Sequence, residues 1–247
     1  DQGSQNILFS FDPDLLKFKP IERANFYAAV RQFDRALDEY DRALTDPKFA
    51  EASPREWTLG AKKSLAIAVR VKRNPSLALE LVSRIIDAKT SPEMTKEAAS
   101  VWRQSIKEWR NAGSPKPTLV EGKRLVLKAQ ALSSATHSND GGLVYYLRAS
   151  TIFHELLRGA KTNPGYAEAL YYAGMAGEGL KEINLWTFDE AYYEACVRFK
   201  PHSDISKKCY SRFEALQLFI GKYYADEQFA PSIEVKKKLA ELKTLAY

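Results

Sequence analysis

Apolar residues along this chain recur every three to four positions, the spacing of one helix face, and segment after segment repeats the pattern. Pro20 opens a run to about Asp46 with no Gly or Pro inside, where Val30, Phe33, Leu37, Tyr40 and Leu44 form the stripe. The run predicts one helix of about 25 residues, ~38 Å long. A second run starts at Pro54, with Trp57, Ala61, Leu65 and Ala68 on one face. Asn74-Pro75-Ser76 breaks it, and Ala78, Leu81, Val82 and Ile85 resume the pattern. Ser91-Pro92-Glu93 reads as an N-cap followed by Pro at the first helical position, ahead of Ala98, Val101, Trp102, Ile106 and Trp109.

The stretch from Asn111 to Pro117 holds Gly113, Ser114 and two prolines and is the most linker-like part of the chain. It predicts an N-terminal helical region over 1–112 and a C-terminal one over 113–247. Beyond it, Leu125, Ala129 and Leu132 carry one helix, and Tyr146, Ala149, Phe153 and Leu156 the next. Asn163-Pro164-Gly165 breaks the chain before Tyr166, Leu170, Ala173, Gly177 and Leu180. Phe188, Tyr192, Ala195 and Phe199 then make a stripe closed by Lys200-Pro201. Ile205, Cys209, Phe213, Leu216, Ile220 and Tyr223 form the following one, and Val235, Leu239, Leu242 and Ala246 the last. Strand-like alternation is nowhere sustained; residues 6–11 come nearest. About ten helices joined by short loops make an all-α chain whose sequence neighbours run antiparallel.

Composition narrows the class. The 247 residues are 45% hydrophobic and 28% charged, enough to bury a core and unlike a disordered, collagenous or disulfide-dense chain. Apolar runs fall short of the ~20 residues of a membrane helix, so no transmembrane segment is expected. The net charge of +6 is spread over Lys62-Lys63, Arg70 to Arg73, Lys207-Lys208 and Lys236 to Lys238. Scattered charge predicts solvated helix faces and no specific nucleic-acid partner. Asp1 at the start reads as the residue left after signal-peptide removal or as a trimmed edge. Four tyrosine doublets, Tyr145-Tyr146, Tyr171-Tyr172, Tyr192-Tyr193 and Tyr223-Tyr224, predict one buried and one flanking member each, because adjacent helical side chains diverge by about 100°.

From Tyr166 to Ser203 the chain reads Tyr-Ala-Glu-Ala-Leu-Tyr-Tyr-Ala-Gly, a hinge near Asn184, then Asp-Glu-Ala-Tyr-Tyr-Glu-Ala-Cys and Lys-Pro-His-Ser. This resembles a tetratricopeptide repeat, about four residues over the ~34-residue norm. Leu170, Ala173 and Gly174 match its first helix; Phe188 or Tyr192, Ala195 and Pro201 match its second. The small residues imply close helix approach, with an aromatic from the second helix filling the groove. Tyr146-Leu147-Arg148-Ala149-Ser150, Trp186, Tyr193-Glu194-Ala195-Cys196, Pro201-His202-Ser203 and Cys209-Tyr210 also look like exported helical-repeat proteins of delta-class bacteria. The resemblances imply antiparallel helix pairs stacked as a tetratricopeptide-like α-solenoid, located in the cell envelope. Repeat geometry implies a partner-binding face carrying Tyr171, Met175 and Glu178.

Chemistry adds little. Cys196 and Cys209 fall on facing stripes of neighbouring helices, as a disulfide or as two inert buried thiols; in an exported chain the disulfide is expected. His137, His154 and His202 are scattered, without Cys-x-x-Cys or His-x-x-x-His spacing, so no metal or cofactor is expected. Gly-x-Ser-x-Gly is absent, and Asp140-Gly141-Gly142 lacks the Lys-Ser or Lys-Thr of a phosphate loop and reads as a helix-helix turn. The expected function is a non-enzymatic periplasmic or otherwise exported scaffold that binds a protein or peptide. The alternative is an envelope hydrolase using carboxylates in a helical groove. The solenoid expectation carries a measurement: a compact chain of this length has a radius of gyration near ~18 Å. Solution scattering should give a clearly larger value, and a value at the compact limit indicates a closed bundle.

Overall fold

The computed structural model describes residues 17–113, 116–135, 140–159, 164–183, 188–224 and 231–247, without the side chains of 135 and 219–224. Expectations at Asp1, residues 6–11, His137, Asn163, Asn184 and Trp186, and for the side chains of Ile220, Tyr223 and Tyr224, lie outside the described residues. Among those described, the chain is all-helical, with twelve α-helices and no strand. They are α1 (Pro20–Ala29), α2 (Phe33–Leu44), α3 (Pro47–Ala52), α4 (Pro54–Ala66), α5 (Pro75–Asp87), α6 (Glu93–Ala112), α7 (Leu119–Ala135), α8 (Leu143–Leu157), α9 (Tyr166–Glu178), α10 (Asp189–Phe199), α11 (Asp204–Tyr224) and α12 (Ile233–Ala246). A π-helical turn, Ile67–Val71, extends α4, and a 3-10 turn, Lys181–Ile183, follows α9.

Helix starts follow the local punctuation. Proline occupies the first turn of α1, α3, α4 and α5, where its missing N–H leaves no bond unmade. Asn74 caps α5 by accepting from the N–H groups of Ser76 (3.0 Å) and Leu77 (3.1 Å), and Asp46 caps α3 through Lys48 N–H (2.9 Å). Ser91 does not cap α6. That helix starts at Glu93 behind Pro92, and the Ser91 hydroxyl is buried with no hydrogen-bond partner among the described residues.

The single long helix expected from Pro20 is instead two. Arg31 takes a left-handed conformation (φ 62°), its N–H reaches Ala28 O (3.2 Å), and Gln32 N–H reaches Tyr27 O (2.8 Å). The turn satisfies the last carbonyls of α1 at a strain of about 1–2 kcal/mol for a non-glycine residue. Folding back buries Ile21, Ala24 and Tyr27 of α1 together with Ala36, Tyr40 and Ala43 of α2. Polar groups register the pair: Tyr40 donates to Asn25 (2.9 Å), and Arg23 binds the buried Glu39 (2.7 Å).

The chain divides into two compact units. Unit 1 runs to Ser114 and includes Leu132–Val144; unit 2 comprises Pro115–Ala131 and Tyr145–Tyr247. In unit 1, α1 packs on α2, α2 on α4, α4 on α5 and α5 on α6. Lys62 is not on a solvated face. It is 3% exposed and pairs with Asp140 at 2.8 Å, while Trp102 Nε1 donates to the Asp140 carbonyl (2.7 Å). A buried cation is tolerated only with such a partner, and this pair ties α4 to the turn at Gly141-Gly142. Lys63 likewise donates to Asn25 (2.8 Å), and burial lowers its pKa.

In unit 2, α9 packs on α10, α10 on α11 and α11 on α12. The buried stripe of α10 is Asp189, Tyr193, Cys196 and Val197; the first three stand one position on from the expected Phe188, Tyr192 and Ala195, and Phe199 is exposed. Gly174 decides the register. A Cβ there would stand 2.5 Å from Tyr193 Cε1, so the Tyr193 ring, rather than Phe188 or Tyr192, fills the space that glycine leaves. In α8 both Tyr145 and Tyr146 are buried, against the expected split, because residues 141–149 are buried on every face of the helix. Gly174→Val should therefore destabilise the chain by about 1–3 kcal/mol through overpacking. The check is a lower urea midpoint with the slope unchanged.

Candidate binding groove

Unit 1 carries an open cavity of about 320 Å³ among α2, α3, α4 and α5. Its floor is apolar: Leu44, Trp57, Leu81 and Ile85. Trp57 is buried, and its Nε1 donates to the carbonyl of Leu44 (3.1 Å), one of the last carbonyls of α2 that lack an intrahelical donor. That bond ties the indole to the end of α2 where the chain turns into α3. The rim is charged. Arg84 donates to Glu80 and pairs with Asp41, and both bonds raise its pKa, with the Glu80 hydrogen bond as the main cause. Lys89, Thr45 and Thr90 complete the lip. An apolar floor with a few fixed polar groups is the build of a ligand cleft. Among the described residues of the lining Asp41 is the one carboxylate, and Arg84 holds it.

The residues expected to bind a partner lie together on α9 in unit 2. Met175 is buried, and Tyr171 and Glu178 are half-buried. Glu178 accepts from the Tyr193 hydroxyl and from Arg212 (3.3 Å). The Tyr171 ring lies 6.1 Å from that of Tyr193 and 5.1 Å from that of Tyr172. Burial raises the pKa of Tyr193, and the Glu178 carboxylate raises it further, so the phenol stays a donor at all physiological pH. Tyr171 and Glu178 are thus engaged with α10 and α11 in a network that locks three helices.

Cys196 on α10 and Cys209 on α11 form a disulfide, with Cα atoms 6.2 Å apart. The turn through Pro201 brings them level, and both are buried. His154 and His202 are exposed. No group of three or more His, Cys, Asp or Glu able to hold a metal occurs among the described residues, and no helix among them is long and apolar enough to cross a membrane. Comparison with protein families, with curated proteins and with solved structures finds no match.

Sequence reading placed Leu44, Trp57, Leu81 and Ile85 on helix stripes but did not see them meet around an opening. The available signal was the pair Pro47 and Pro54, seven residues apart, which marks a short helix diverting the chain between α2 and α4. Loop closure by the disulfide should contribute about 3 kcal/mol. Thiol titration of unreduced, denatured protein should find no free thiol. Replacing both cysteines by Ala should lower the melting temperature and leave the helical signal intact.

Proposed function

We propose that this chain is a non-enzymatic scaffold that binds a protein or peptide partner, its helix pairs continuing as a tetratricopeptide-like stack. The groove of unit 1 carries the reading, since its apolar floor and charged rim suit one apolar anchor of a peptide with polar neighbours on either side. We assign the contact to this groove, because Tyr171 and Glu178 are occupied by α10 and α11 and Met175 is buried. The disulfide supports an oxidising compartment such as the bacterial periplasm, since cytosolic reductants keep thiols reduced. A carboxylate-dependent hydrolase needs two carboxylates across a cleft, and the groove lining offers Asp41, bound to Arg84.

Selection of random displayed peptides on the oxidised protein tests the reading. Selected peptides should share an apolar anchor. Ala88→Phe, which fills the groove from its lip, should weaken their binding at least tenfold while the protein keeps its melting temperature. Binding unchanged by Ala88→Phe moves the contact off the groove, and recovery of no peptide removes the scaffold reading.

A further inference from the structure

Asp189, at the first turn of α10, is a buried carboxyl group for which no hydrogen bond or ion pair is found among the described residues. It is 4% exposed, and its Oδ2 has no hydrogen-bond partner among the described residues. A carboxylate withdrawn from water is strongly disfavoured unless a cation or donors meet it. Close packing puts it there: a Cβ on Gly177 would stand 3.0 Å from Asp189 Cβ and 3.2 Å from its backbone N, so the glycine lets the start of α10 press against α9.

Asp189 lines a cavity of about 390 Å³ with Lys181, Phe188, Glu190, Glu194 and Lys238. Two of these charges are already matched, because Glu194 pairs with Lys238 and also accepts from Arg198 (3.0 Å). Asp189 and Glu190 remain against Lys181, a local excess of negative charge beneath the exposed ring of Phe188. Excess carboxylate beside an exposed aromatic ring fits an organic cation, which both the charge and the ring face attract.

We propose that this cavity binds a primary ammonium, as carried by a lysine side chain of a partner. The Asp189 carboxylate accepts the ammonium N–H where it lines the cavity, Glu190 adds charge at the mouth, and the Phe188 face covers the alkyl stem and the cation. The site uses residues of unit 2 alone and stands independently of the groove in unit 1.

The test is an amide NMR titration of the oxidised full chain with Nα-acetyl-lysine amide, against Nα-acetyl-norleucine amide, which has a similar stem and no charge. The lysine probe should shift the amides of residues 188–191 in a saturable way, and the norleucine probe should not. Asp189→Asn should weaken the lysine probe at least tenfold, and Phe188→Ala several-fold. No saturable shift, equal shifts with norleucine amide, or full affinity in Asp189→Asn overturns the proposal. If Asp189→Asn loses its helical signal, Phe188→Ala and salt decide: affinity unchanged by both also overturns it.

Discussion

Gly174 and Gly177 face α10 without side chains, and the ring of Tyr193 and the start of the α10 backbone occupy the space that Cβ atoms would need. Much of unit 2 follows from this approach. It sets which face of α10 is buried, and so carries Tyr193 to Glu178, where Arg212 of α11 also binds. It draws Asp189 out of water. One turn beyond Tyr193 it points Cys196 at α11, where the disulfide to Cys209 closes the three-helix seam. A side chain at Gly174 has to displace the Tyr193 ring, and close-packed interiors do not absorb such shifts smoothly.

Unit 1 is held by a different device. Its interior includes charges that are paired rather than excluded: Lys62 with Asp140, and Glu39 with Arg23 and Arg42. Removing one partner of such a pair leaves an uncompensated charge, typically about 3–5 kcal/mol for a fully buried pair, so these contacts penalise wrong registers more than they stabilise the right one. Among these fixed helices the six-residue α3 diverts the chain, and the largely buried Trp57 lies at the floor of an opening.

Several local readings hold because they rest on local physics. Proline and Asn74 end and begin helices wherever they stand, and Asp140-Gly141-Gly142 is a turn, as its composition predicts. Other readings fail where two local solutions are nearly equal. A stripe through Tyr192 and one through Tyr193 fit the same helix, and nothing within α10 chooses between them. Arg31 offers no glycine to announce a turn, so the reversal between α1 and α2 was invisible. Asp189 stands at a helix start, where the helix dipole favours an acid, and its burial depends on a glycine in another helix.

The chain's all-helical class, the helix breaks at its prolines and the placing of its two cysteines on neighbouring helices were determined by the sequence itself. Periodicity and missing N–H donors act within a few residues, whereas the disulfide between the two cysteines is a contact between helices. The tertiary structure alone decided which tyrosine fills the Gly174 gap, which charges are buried in pairs, and where an apolar floor stays open. Those outcomes depend on residues distant in sequence meeting across helices, and burial is a property of that meeting rather than of any one segment.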